Sequence, residues 1–253
     1  MIGLAAFLLM AFVGATLWFT EASRKKLLCT AVNISVPDYA SRTLYTEQEV
    51  FSLMGVQKNK LLKQPINTLQ TREMEEKLLS NTILERADLY LTADGVFHID
   101  LIPRTPVLRI INRQGSTFYL DRDGYFFQAP TRFVAYVPVA TGNISQRVAK
   151  INTHVSDSGV EKVVRELYHL AGYLLDNEFW LHQAEQIYVD DYKDICLIPR
   201  VGSHTIVLGN MENYEEKFRN LETFYEKGLQ VMGWDKYSKI NVKFKGQIVC
   251  TKK

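Results

Sequence analysis

The chain has 253 residues, with 30 basic and 28 acidic side chains and a formal net charge of +2. This balance argues against nucleic acid as a partner, because phosphate neutralisation requires an excess of Lys and Arg. The chain is 47% hydrophobic and 23% charged, with only 14 Gly and 7 Pro, which excludes the collagenous, disordered and low-complexity classes.

The N-terminus has the pattern of a membrane anchor. Residues 1–20 carry no charged side chain, and about 20 apolar residues suffice to cross a bilayer. Trp18 and Phe19 suit the membrane interface, and the basic cluster 24–26 ends the apolar run. We predict a transmembrane anchor at 1–20 and a basic juxtamembrane segment at 21–27. The alternative is a secreted protein with a cleaved signal, which would carry a basic n-region and a small-x-small cleavage site.

The next segment begins with a strand and a helix. Residues 28–36 are rich in Val, Ile and Thr, which is typical of a strand. Thr-Glu-Gln-Glu at 46–49 is a capping-box sequence. It predicts a short helix that ends at Gly55.

A second helix and a hairpin complete this module. The helix is predicted over 67–79, with one buried face formed by Met74, Leu78 and Leu79. Strands are predicted at 87–92 and 96–102, on either side of Asp94-Gly95, a dipeptide that tolerates the positive φ of a hairpin turn. The order is β-α-α-β-β.

Pro103 and Pro106 mark a joint, after which the pattern predicts an antiparallel sheet that carries helices. Ser158 and Glu161 form a second capping box, which predicts a helix with the apolar stripe Val160, Val163, Val164, Leu167, Ala171, Leu174 and Leu175. A last helix is predicted over 212–231. The predicted strands are 107–112, 116–120, 125–128, 187–189, 195–199, 205–208, 240–244 and 247–251. The class is therefore α+β.

The sequence contains no recognisable catalytic or metal-binding motif. The five histidines show no metal-binding spacing, and neither a nucleophile elbow nor a Gly-rich phosphate loop occurs. The acidic pairs at 190–191 and 215–216 point apart, because adjacent side chains on a strand or helix diverge. We therefore expect a protein that is not an enzyme and has no cofactor, metal or catalytic residue. Cys196 and Cys250 are expected to be small buried hydrophobes, and a bridge between them is left open.

Four segments together resemble the FtsQ/DivIB family of bacterial cell-division proteins. They are the proline-bracketed passage 98–109, the aromatic hairpin 118–125, and the segments 136–142 and 199–202. The resemblance runs from the anchor to about Thr251. It implies a POTRA-like domain at 28–104 and a C-terminal β domain at 105–253.

The resemblance also implies a function. It identifies a non-catalytic scaffold at the division septum that links early division proteins to septal cell-wall synthesis. It implies a single-pass protein of the cytoplasmic membrane with a cytoplasmic N-terminus and domains outside, whereas the basic cluster 24–26 by itself favours the opposite orientation. The alternative class is a POTRA-bearing protein of export or assembly.

The implied partners are FtsB and FtsL, a coiled-coil pair. The resemblance places FtsB on the C-terminal strand by strand addition, and a strand that ends a chain often lies at a sheet edge. The implied contact residues are Lys243, Phe244, Gln247, Ile248, Val249 and Thr251. Phe244 shares its predicted face with Ile240 and Val242, so a core position is the alternative. Since the register is unknown, the sequence leaves open which residues of 247–251 face the partner.

Overall fold

The computed structural model describes residues 10–14, 16, 28–37, 46–65, 68–130, 133, 135–147 and 152–253. The chain divides into two compact units between Pro103 and Arg104. A bilayer-spanning length of apolar helix is not found in the described ranges. The rest of the predicted anchor 1–20, and all of the juxtamembrane segment 21–27, lie outside the described residues.

The first unit has the predicted β-α-α-β-β order with one additional short helix. Its elements are β1 (Ala31–Ser35), α1 (Glu47–Met54), α2 (Lys58–Leu61), α3 (Thr71–Leu79), β2 (Leu84–Leu91) and β3 (Val96–Pro103). The sheet order is β1-β3-β2, in which β1 is parallel and β2 antiparallel to β3. The central strand β3 therefore lies between two edge strands.

Local signals explain most of this unit. The Thr46 hydroxyl accepts a hydrogen bond from the Glu49 N–H (3.3 Å), and the Glu49 carboxylate accepts one from the Thr46 N–H (2.8 Å), which confirms the predicted capping box. Along β3, buried residues alternate with partly exposed ones as predicted. Leu79 was wrongly assigned to the buried face of α3: it is 38% exposed, because it lies about 100° around the helix from Leu78.

The second unit is a large sheet with helices. Its strands are β4 (Pro106–Ile111), β5 (Thr117–Asp121), β6 (Phe126–Phe127), β7 (Val139–Gly142), β8 (Ala184–Val189), β9 (Ile195–Pro199), β10 (Thr205–Gly209), β11 (Tyr237–Asn241) and β12 (Val249–Lys252). Its helices are α4 (Lys162–Asp176), α5 (Glu178–Gln183), α6 (Tyr214–Thr223), a π-helix (Phe224–Leu229) and α7 (Gln230–Met232). Within the described residues the strand order is β12-β11-β10-β9-β8-β7-β4-β5-β6.

This sheet is mixed, so the prediction of an antiparallel sheet is wrong in part. The pairs β4/β7, β7/β8 and β10/β11 are parallel, whereas the remaining pairs are antiparallel. Strands β7 and β8 are joined through α4 and α5, and β10 and β11 through α6 and the π-helix. A helical crossover returns the chain to the same end of the sheet, which makes the next strand parallel.

The helix α4 supplies one wall of the core. The predicted stripe is buried from Val160 to Leu174, with Leu175 packed at its margin. The predicted capping box at its start is wrong: α4 begins at Lys162, and no side chain caps it. Instead, the Glu161 N–H donates to Gln146 Oε1 (2.8 Å), a residue distant in sequence.

A buried ion pair holds the first hairpin of this unit. Arg104 Nη1 lies 2.6 Å from Asp121 Oδ2, and the two side chains are only 10% and 3% exposed. Asp121 Oδ1 also accepts the N–H groups of Asp123 (3.1 Å) and Tyr125 (2.7 Å). The guanidinium lies 4.9 Å from the centre of the Tyr125 ring. One carboxylate therefore joins the start of the unit to the turn between β5 and β6.

Candidate functional site

The terminal strand β12 lies at one edge of the large sheet. It pairs with β11 in antiparallel register, with Cys250 opposite Ile240 and Val249 opposite Asn241. No strand of the described chain pairs with its other side. This edge presents main-chain donors and acceptors that a strand of another protein can bond.

The direction of the main-chain N–H groups of β12 follows from the hydrogen bond at the end of its ladder with β11. Lys253 donates its N–H to the Lys236 carbonyl (3.3 Å), on the side of β11. Successive N–H groups along a strand point in opposite directions, so those of Thr251 and Val249 also face β11. The donors at the open edge are therefore those of Cys250 and Lys252.

Side chains alternate across the same strand. Ile248 and Cys250 are partly buried and pack against the core. Val249 is 45% exposed, and the Thr251 side chain also lies in solvent. The two open-edge donors therefore belong to Cys250, whose side chain packs against the core, and to Lys252, whose side chain is exposed.

Two of the predicted contact residues, Gln247 and Ile248, precede β12. Gln247 donates its N–H to the Phe244 carbonyl (3.4 Å) and closes a turn in which Gly246 has φ +70°. A residue with a Cβ rarely adopts this conformation. The ladder therefore begins at Val249, and the strand predicted over 247–251 starts two residues too early.

Lys243 and Phe244 lie in the segment between β11 and this turn. The alternative that Phe244 belongs to the core is wrong, because its side chain is 50% exposed while Ile240 and Val242 are buried. The strand ends at Asn241, so the alternation that would bury Phe244 does not continue. The Lys243 ammonium lies 2.7 Å from Asp194 Oδ2, an ion pair within this unit.

A cavity of about 310 Å³ opens between the hairpin and α6. Phe244, Gln247 and Lys217 contribute to its lining. Lys217 is buried, and its ammonium donates to the carbonyls of Leu208 (2.9 Å) and Asn210 (2.7 Å). Burial lowers the pKa of Lys217, and nearby acids led by Glu212 act in the opposite direction. The exposed Phe244 ring and the strand edge are therefore accompanied by a polar cleft.

The cysteines are free thiols in this structure. Cys196 on β9 and Cys250 on β12 are separated by β10 and β11. At about 4.8 Å per strand they lie roughly 14 Å apart, beyond the ~7 Å limit for a disulfide. The bridge that the sequence left open is thereby excluded. Burial raises the pKa of Cys196 to about 11 and also raises the pKa of Cys250.

Two of the polar residues considered for chemistry, Asp190 and His204, have structural partners. The Asp190 carboxylate accepts the N–H groups of Tyr192 and Asp194, each at 2.9 Å, and so stabilises a turn. His204 is buried, and its Nε2 lies 2.7 Å from the Tyr225 hydroxyl. Burial lowers the pKa of His204. Among the described residues, no group of three or more His, Cys, Asp or Glu side chains is arranged to hold a metal.

Sequence reasoning missed the donors of Cys250 and Lys252. Their importance depends on the pairing of β12 with β11. The related signal in the sequence is the alternation of side chains over 248–251, which puts Ile248 and Cys250 on the core side of the strand. That alternation identifies faces of the strand but not its hydrogen-bonding parity.

Comparison with protein families gives two matches. The model described as "FtsQ/DivIB, C-terminal related" matches residues 105–251, more than half of the chain. The model of the POTRA-like domain matches residues 27–102. A search of curated proteins found no match. Each matched region lies within one of the two structural units, and the predicted resemblance is confirmed. The chain belongs to the FtsQ/DivIB family of cell-division proteins.

Proposed function

We propose that this protein is a non-catalytic, membrane-anchored divisome scaffold that links early division proteins to septal cell-wall synthesis. Its membership of a family of division scaffolds supports the general role. The observation that carries the mechanism is the unpaired edge of β12. A scaffold needs binding surfaces rather than reactive groups, and strand addition is a common means of protein recognition.

The docking partner is FtsB, from the FtsB and FtsL pair. An extended segment of FtsB adds to β12 and bonds the N–H groups of Cys250 and Lys252, which point away from β11. Val249, Thr251 and Phe244 offer exposed side chains beside this ladder. Main-chain bonds supply affinity in such an arrangement, and the neighbouring side chains supply specificity.

The form of the edge limits unwanted pairing. The ladder between β11 and β12 is irregular between Tyr237 and Lys239, and β12 ends at Lys252, which is followed by Lys253. A short, irregular edge with terminal lysines disfavours association with a second copy of itself. It remains open to a partner whose charges complement the lysines.

Residues 1–20 anchor the protein in the cytoplasmic membrane, with the N-terminus in the cytoplasm and both folded units outside. The length of the uncharged run supports the anchor. The family supports a septal location. In this arrangement the β12 edge lies on the extracytoplasmic side, where it meets the proposed partner.

Depletion in the native cell tests the proposed role. We expect undivided filaments, because septal synthesis loses its link to the early division proteins. Cell length and septum number measured by microscopy over several generations check this, with re-expression of the wild-type chain as the control. Normal division after complete depletion contradicts the scaffold role.

Protease accessibility tests the topology. In spheroplasts, protease added from outside should digest the folded units and leave a short membrane-protected fragment that contains residues 1–20. An antibody against a C-terminal epitope and one against an N-terminal tag distinguish the two ends. Full protection of the units before lysis, with digestion after it, shows the opposite orientation.

A further inference from the structure

A second cavity, of about 520 Å³, lies between α5 and the π-helix. Its walls include three aromatic residues, Phe179, Tyr225 and Trp234. The cavities beside the terminal hairpin share none of its lining residues. It is therefore separate from the proposed FtsB edge.

The three rings form an aromatic cluster along the cavity, in which neighbouring rings pack edge to face. The Phe179 and Tyr225 ring centres lie 6.4 Å apart at 90°, and those of Tyr225 and Trp234 lie 5.3 Å apart at 81°. Phe179 is 50% exposed, whereas Tyr225 is buried. Half of the Phe179 side chain is therefore available to a ligand and not packed within the fold.

The local structure holds these rings in place. Asn177 Oδ1 accepts the Trp180 N–H (3.0 Å) and starts α5, so that Trp180 enters the core while Phe179 lies outside. The Tyr225 hydroxyl lies 2.7 Å from His204 Nε2. Burial raises the pKa of Tyr225, so the phenol stays neutral and the cavity wall remains an uncharged ring.

The π-helix positions Tyr225. It continues α6 over Phe224–Leu229, where the sequence predicted an unbroken α-helix. Gly228 permits it, because a Cβ there would lie 2.8 Å from the Phe224 ring. Such insertions are uncommon and occur frequently at functional sites, because they change the direction of a few side chains without ending the helix.

Two carboxylates complete the cavity. Glu222 and Glu226 both line it, and Glu222 Oε1 accepts the Trp180 indole N–H (2.8 Å), which orients this carboxylate. Within the described part of the chain, no basic side chain pairs with either at 4.0 Å or less. The cavity therefore combines aromatic side chains with two carboxylates that have no ion-pair partner among the described basic residues.

We propose that this cavity binds the arginine side chain of an extended peptide segment of another protein. A guanidinium is planar and weakly hydrated, stacks on aromatic rings and bonds carboxylates through a fork of N–H donors. Lysine matches the charge but lacks the planar fork. The volume lies within the usual range of ligand pockets. The protein thus has a second recognition site on the helical side of its C-terminal unit.

The test uses the full-length chain and three peptides, N-acetyl-Gly-Arg-Gly-amide and its lysine and citrulline analogues. Binding is followed by the indole N–H signal of Trp234 in ¹H–¹⁵N NMR spectra, assigned with Trp234→Phe. The arginine peptide should shift this signal in a saturable way. We expect the lysine peptide to bind about 3- to 10-fold more weakly and the neutral citrulline peptide not to saturate.

Variants locate the site. Glu226→Gln and Phe179→Ala, both at exposed positions, should each weaken binding of the arginine peptide about 3- to 10-fold. Glu215→Gln, which makes the same charge change at another exposed position on α6, should have no effect. Equal binding of the citrulline or lysine peptide, no shift of Trp234, or equal losses in all three variants overturns the proposal.

Discussion

Replacing Cys250 with proline is expected to weaken capture of the FtsB and FtsL pair about 10- to 100-fold while the protein stays folded. The N–H of Cys250 faces the open edge, so proline removes a donor that the fold does not use. The loss of one main-chain bond and the contact of the ring with an incoming strand together correspond to roughly 1.5–3 kcal/mol of binding free energy.

Thr251→Pro is the matched contrast. Its side chain is exposed, but its N–H faces β11, so proline removes a bond of the ladder itself. An unsatisfied carbonyl costs about 1–3 kcal/mol, and we expect the melting temperature to fall by about 2 to 12 °C. Cys250→Ala keeps the N–H and serves as the control for loss of the thiol.

Pull-down with the FtsB and FtsL pair and thermal unfolding by circular dichroism measure both effects. If Cys250→Pro keeps its fold and still captures the pair like Cys250→Ala, strand addition at β12 is wrong. If Cys250→Pro unfolds while Thr251→Pro remains stable, the parity of the edge is the reverse of that derived from the Lys253 bond.

Asp121→Ala is expected to destabilise the C-terminal unit by about 3–5 kcal/mol. The substitution leaves the nearly buried Arg104 charge without this carboxylate and removes the acceptor of two turn N–H groups. For a chain of this size the melting temperature should fall by about 6 to 20 °C. Thermal and urea unfolding measure the change.

Two further variants separate the causes. Asp121→Asn keeps an oxygen for the turn N–H groups but removes the charge. Its free energy of unfolding should therefore lie between those of the wild type and Asp121→Ala. Glu76→Ala breaks the exposed ion pair with Arg72 on α3, which should cost less than about 0.5 kcal/mol. Equal small losses in all three variants would mean that the buried pair contributes no more than a surface pair.

Elements whose signals act over a few residues could be predicted from the amino-acid sequence. The capping box at Thr46 and Glu49, the turn at Asp94-Gly95 and the apolar stripe of α4 each specify a conformation through neighbours in the chain. Together with the segments that resemble the FtsQ/DivIB family, they sufficed for the order of the first unit and for the family. A capping-box sequence forms a cap only if the helix begins directly after its first residue. The helix α4 begins at Lys162, so Ser158 and Glu161 do not form a capping box.

Which strands pair, and which main-chain groups of the described residues face an open edge, depends on the tertiary fold. Two of the parallel pairs of the large sheet, β7/β8 and β10/β11, result from helical crossovers, and Phe244 is exposed because β11 ends at Asn241. The outward direction of the Cys250 N–H depends on one register among several that the same residues allow. A shift of one residue would reverse it, because strand residues alternate with a period of two while local propensities stay the same. The aromatic cluster of Phe179, Tyr225 and Trp234 likewise joins residues from two helical segments and the loop after α7. No local sequence pattern specifies that these rings come into contact.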